Sequence, residues 1–128
     1  HYYGTPRRFI DERLAEGKSV IMDVDIQGAA QIKRQLPQVV SVFLLPPSMA
    51  VLHQRLLARA TEGAEAIRRR LNKALLEVKA LTDYDYVVVN EDLDLAVERM
   101  KAIISAERHR VGRMDCQRII DQVTRGNV

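Results

Sequence analysis

Tryptophan is absent from these 128 residues, and only six aromatic side chains are present, four Tyr and two Phe. Base-stacking recognition of nucleic acid draws on aromatics beside dense Lys/Arg runs, and this chain has few of the first and no dense run. A single cysteine, Cys116, excludes an intramolecular disulfide framework and fits a reducing, cytoplasmic setting. Six Gly and four Pro are too few for a linker or a collagen-like repeat. No apolar run approaches the ~20 residues of a membrane-spanning helix. No secretory signal pattern is visible. His1, His53 and His109 show no metal-ligand spacing, and no nucleophile elbow of a serine hydrolase occurs. What is present is ordinary globular usage: 47% hydrophobic, 29% charged, net charge +3. That suits one domain with one core. The mild basic excess reads first as a solvated surface, and next as an affinity for phosphate-bearing small molecules.

The pattern along the chain alternates strands with helices. Thr5-Pro6 is a helix start, and Phe9, Ile10 and Leu14 share a face before Gly17 ends the helix. Ser19–Asp25 reads as a buried strand, followed by a helix over about 27–36 that stops at Pro37. A second strand, Val39–Leu45, ends at Pro46-Pro47, and Ser48 caps a helix running to Arg59. After a loop at 60–64 a helix is expected over about 65–81, then a strand at Tyr86–Val89 and a helix over about 94–110. The tail over about 112–126 has Cys116, Ile119, Ile120 and Val123 at helical spacing, with Cys116 expected as a small core residue. Near-continuous apolar strands suit coverage on both faces, so the expectation is an α/β layer fold with a small parallel sheet of three strands.

Four motifs carry chemistry, each with a plainer alternative. Gly17-Lys18-Ser19 matches the end of a P-loop, but Glu12 stands where the earlier Gly belongs. A helix precedes it and a strand follows, the reverse of P-loop order, so Gly17 reads as a helix cap. Asp23 and Asp25 point to one side at the end of the first strand. There they serve either as ligand acceptors, for a base or for hydrated Mg²⁺, or as a cap for the next helix. Arg55 and Arg59 share a helix face, and Arg68, Arg69 and Arg70 open the next helix. They form either a solvated basic face or the positive charge that surrounds a migrating γ-phosphoryl group. Tyr2-Tyr3-Gly4-Thr5 offers a phosphate-binding hydroxyl, or two packed rings ahead of a helix cap.

Six elements in order resemble guanylate kinase, the nucleoside monophosphate kinase that phosphorylates GMP with ATP. They are Tyr2-Tyr3-Gly4-Thr5, Asp23-Val24-Asp25-Ile26-Gln27-Gly28, Leu45-Pro46-Pro47-Ser48, Arg55-Leu56-Leu57-Ala58-Arg59-Ala60-Thr61-Glu62, Arg69-Arg70-Leu71 and Tyr84-Asp85-Tyr86-Val87-Val88-Val89-Asn90-Glu91-Asp92-Leu93. Each is weak alone; the ordered set is specific. The resemblance runs from residue 2 to about residue 108 and implies a P-loop-kinase-like, three-layer α/β fold with a lid over about 55–71.

The resemblance also implies roles. Tyr3 would bind the GMP phosphate and Thr5 would lie near the guanine. Asp25, and Asp23 with it, would stand at the GMP site, one of them reading the guanine edge. Arg55 and Arg59 would meet the ATP phosphates from the lid side, and Arg70 the transferring phosphoryl group. Asn90 would lie close to the adenine, Mg²⁺ would accompany ATP, and residues 60–66 would close over both nucleotides. No protein metal ligand is implied. A catalytically dead relative that binds protein or phosphopeptide in the old GMP site is the alternative, and the retained arginines and aspartates argue against it.

Two departures matter. Ala60 replaces a glycine usual in the lid, which strains the turn by roughly 1 kcal/mol if that position needs positive φ. The family's leading strand, P-loop and GMP-clamping region, which precede the Tyr-Tyr element, have no counterpart here. The 128 residues are therefore expected to be the C-terminal part of a guanylate kinase domain, inactive alone, with a bare sheet edge through which the chain self-associates.

Overall fold

The computed structural model describes residues 7–59 and 63–125. Helix α1 (Arg7–Ala15) buries Ile10 and ends where Gly17 turns to φ +78°. The Gly17 amide donates to the Leu14 carbonyl and the Lys18 amide to that of Arg13, both at 3.0 Å. This is a left-handed C-cap, which glycine adopts without steric cost, and it is the role read for Gly17 from sequence. Helix α2 (Ile26–Gln35) starts on Asp25 and stops before Pro37 with Leu36 buried.

Strand β1 (Val42–Leu45) is halted by Pro46-Pro47, and helix α3 (Met49–Ala58) begins on Ser48, whose hydroxyl accepts from the Val51 amide at 3.1 Å. Helix α4 (Ala64–Val78) runs back against α3 and tightens into a 3₁₀ turn at Lys79–Asp83. Strand β2 (Tyr86–Val89) pairs with β1 in parallel, Val42 opposite Tyr86 and Leu45 opposite Val89. Helix α5 (Leu93–Arg108) starts on Asp92 and crosses back over β2. A short 3₁₀ turn at Val111–Arg113 leads to helix α6 (Cys116–Arg125).

The α/β class and the parallel sheet are as expected, but the sheet among the described residues has two strands, not three. Residues 19–25 run without regular structure, although their exposure alternates with a period of two. Val20, Met22 and Val24 are half-buried, whereas Ile21, Asp23 and Asp25 face outward. A strand exists only through a ladder, and no hydrogen bond joins the main chain of residues 20–24 to any other described residue.

Coverage on both faces also fails. Leu44 is 54% exposed and Val87 47% exposed, on opposite sides of the sheet. Cys116 is exposed at the start of α6 rather than packed in a core, because α6 packs extensively against no other described helix or strand.

Two polar clusters hold the layers together. At the start of the strands, Asp85 Oδ2 accepts from Lys33 Nζ at 2.8 Å, the Ser41 amide at 2.9 Å and the Ser41 hydroxyl at 3.1 Å. Lys33 also donates to the Val39 carbonyl, so α2, β1 and the approach to β2 meet at one point. On the other side of β2, the Tyr86 hydroxyl donates to the buried Glu107 carboxylate. Glu107 also accepts from Arg110 at 2.8 Å and from Arg113 at 3.3 Å. A carboxylate this enclosed needs such donors to remain charged.

Candidate functional site

The carboxyl ends of the strands are where an open α/β sheet receives ligands. Here they are drawn close: the Asn90 amide donates to the Leu45 carbonyl at 2.7 Å, extending the ladder one residue past β2. Asn90 is half-buried at that point. Arg55, half-buried on α3, reaches down to the same place and donates from Nη2 to the Glu91 carbonyl at 3.2 Å. Helix α3 and the loop beyond β2 are thereby tied together.

Arg59 is one turn further along α3, at its C-cap, where a cation is favoured by the helix dipole. Its side chain is exposed and makes no hydrogen bond or ion pair with described residues. Arg70 is exposed on α4, the second arm of the α3–α4 hairpin. Arg68, two residues earlier on the same helix, pairs with Glu65 at 2.7 Å.

Arg99 was not singled out from sequence. It donates from Nη1 to the Val89 carbonyl at 3.4 Å, so a second guanidinium meets the end of β2 from α5. Arg99 stands one turn after Ala96, a buried residue of α5, and no sequence motif marks it.

Asp25 is the N-cap of α2, its Oδ1 accepting from the Gly28 amide at 2.8 Å. Capping is one of the two roles read for it from sequence, and it sets the direction of the carboxylate at the helix entrance. Its charge also helps hold the Tyr84 phenol above the usual range, behind the larger effects of burial and of Glu77. Asp23 is exposed and makes no hydrogen bond or ion pair with described residues. Tyr3, Thr5 and Ala60 lie outside the described residues, as do Thr61 and Glu62 of the expected lid tip; of its remainder, Gly63 is the N-cap of α4 and Ala64, Glu65 and Ala66 are its first turn.

No group of three or more His, Cys, Asp or Glu side chains suited to a metal ion occurs among the described residues. Nor is any described helix long and apolar enough to cross a membrane. Positive groups thus stand on both arms of the α3–α4 hairpin, and Arg55 among them is tied to the loop beyond β2.

The guanylate kinase family model matches residues 1–107 of the sequence. The chain belongs to the guanylate kinase family. It is 49% identical over 113 residues to a guanylate kinase of Symbiobacterium thermophilum, covering 88% of this chain and 54% of that protein. The guanylate kinase of Lactococcus lactis is 46% identical over 114 residues, covering 89% of this chain and 56% of its own length. Among solved structures, the guanylate kinase of Anaplasma phagocytophilum superposes with a TM-score of 0.74 at 30% identity, over 92% of this chain and 56% of that one. The fold is thus that of guanylate kinase, and the chain spans about half the length of the relatives it matches.

Proposed function

We propose that these residues carry the lid and part of the nucleotide site of an ATP:GMP phosphotransferase, and that they are inactive without a P-loop portion. The observation that carries this reading is Arg55. Its guanidinium is anchored at the end of β2 beside Asn90, with Arg59 one turn on and Arg70 across the hairpin. Guanidinium groups placed there stabilise charge on the γ-phosphoryl group as it passes from ATP to GMP, giving ADP and GDP. Asn90 would contact the adenine end of ATP. Asp23 and Asp25 would stand at the GMP site with Tyr3 and Thr5.

The donor set fits a Mg²⁺ ion carried in on the phosphates of ATP rather than one caged by protein, because carboxylates are not clustered among the described residues. Bound in that way, Mg²⁺ neutralises phosphate charge during transfer. A cytoplasmic setting accords with the free thiol of Cys116.

The test is a coupled ADP-release assay with ATP, Mg²⁺ and GMP. It compares the 128-residue chain with a fusion in which the leading half of the Lactococcus lactis relative precedes it. GMP-dependent turnover is expected from the fusion alone. Turnover from the 128 residues would refute the need for a P-loop portion. An inactive but folded fusion that binds a phosphopeptide would favour the binding-domain alternative.

A further inference from the structure

Asn90 is the first residue past β2, and bonds from three different elements fix the main chain around it. Its own amide donates to the Leu45 carbonyl of β1 at 2.7 Å. The carbonyl of Val89, the residue before it, accepts from Arg99 of α5 at 3.4 Å. The carbonyl of Glu91, the residue after it, accepts from Arg55 of α3 at 3.2 Å. One residue further on, Asp92 caps α5, accepting from the Asp94 amide at 2.8 Å and the Leu95 amide at 3.3 Å. Loops at strand ends are ordinarily the more mobile parts of a fold. Here every residue from 89 to 92 is tied to another element, and the direction in which the Asn90 side chain leaves the chain is set with them.

The two guanidinium grips differ. Arg55 is also a phosphate donor on the reading above. Arg99 leaves the second turn of α5, one turn beyond buried Ala96, so packing fixes the point from which it reaches. Its bond back to Val89 closes residues 89–99 into one ring that holds both the loop and the N-cap of α5. Arg99 is thus the grip on this loop that has no second task at the phosphates.

On the phosphotransferase reading proposed above, on which this rests, we infer that Arg99 is a positioning residue. By holding the Val89 carbonyl it aims the Asn90 carboxamide at the base of the phosphoryl donor, and so favours ATP over GTP. A carboxamide presents a donor and an acceptor side by side. Adenine offers the matching amino donor beside a ring-nitrogen acceptor, whereas guanine carries a carbonyl in place of that amino group. Pairing at two points tolerates little rotation, so it works only from a main chain held in place. The bonds at Val89, Asn90 and Glu91 supply that hold from β1, α3 and α5 together.

Steady-state kinetics of the fusion with the leading half of the Lactococcus lactis relative tests it, with ATP, GTP and GMP varied in turn. Arg99→Ala should raise the KM for ATP about fivefold, the scale of one hydrogen bond, with kcat and the KM for GMP unchanged. The KM for GTP should not move, so the preference for ATP falls by the same factor. Arg99→Lys should recover part of the loss, since an ammonium still donates to a carbonyl. In an Asn90→Ala background, Arg99→Ala should add nothing to the KM for ATP, because the group it positions is gone. In an active fusion, an ATP KM indifferent to Arg99→Ala would overturn this role alone. So would effects of the two substitutions that multiply, because Arg99 would then act without Asn90. A fusion with no GMP-dependent turnover would overturn the phosphotransferase reading, and the role of Arg99 with it.

Discussion

The Arg55 guanidinium donates to the Glu91 carbonyl at 3.2 Å, joining helix α3 to the loop just beyond β2. In the fusion enzyme, Arg55→Ala is expected to lower kcat about 100-fold, the scale of losing one preorganised charge donor. Arg55→Lys should recover part of that loss, since an ammonium restores the charge but not the planar fork. Steady-state kinetics with both variants decides it. Unchanged kcat in Arg55→Ala would reduce this residue to a structural strut.

Asp25 is assigned two tasks, and two substitutions separate them. Asp25→Ser keeps a capping oxygen for the Gly28 amide, whereas Asp25→Ala removes it and should cost about 1 kcal/mol of stability. Both remove the carboxylate. Thermal melts should therefore distinguish the variants, while the KM for GMP rises in both. A KM that follows only the melting temperature would confine Asp25 to the cap.

Gly17 supplies a third test. At φ +78°, with nothing within 4 Å of an added Cβ, Gly17→Ala incurs backbone strain alone, about 1 kcal/mol. The melting temperature should fall by a few degrees with nucleotide affinity unchanged. Lost affinity without lost stability would mean that Gly17-Lys18-Ser19 contacts phosphate after all.

Acid should loosen the fold through two carboxylates. Hydrogen bonds from Tyr86 and then Arg110 hold Glu107 below the usual carboxylate range. Burial pushes Asp85 up, but its bonds from Lys33 and Ser41 outweigh that, and it too lies low. With folded pKa values below unfolded ones, both contributions are fully present above the ordinary carboxylate pKa and fade as pH falls through the folded values. Melting temperatures from pH 7 to pH 3 should show that decline. Glu107→Gln should start lower at pH 7 and lose less on acidification. A decline identical to that of the unsubstituted chain would remove Glu107 from this account.

Local signals survived best in the sequence. The caps at Ser48 and Gly17 and the stop at Pro46-Pro47 depend on neighbours within a few residues, so pattern alone exposes them. The strand expected at 19–25 depends on a partner elsewhere, and alternation cannot supply one. Cys116 was misplaced for the same reason, since helical spacing marks an apolar stripe but not whether anything covers it. Arg55 stands in a motif that the sequence shows, whereas its bond to Glu91 crosses 36 positions of sequence and shows only in three dimensions. Arg99 was passed over because a lone arginine in an amphipathic helix carries no motif.

Helix α5 reaches three separate parts of the chain: Arg99 holds the end of β2, Glu107 holds Tyr86 at its start, and Arg108 donates to Ser19 at 3.0 Å. With a sheet of only two short strands among the described residues, that helix is their spine. Its amides should be the last to exchange with deuterated solvent, and its melting should release the sheet and the 19–25 segment in one step.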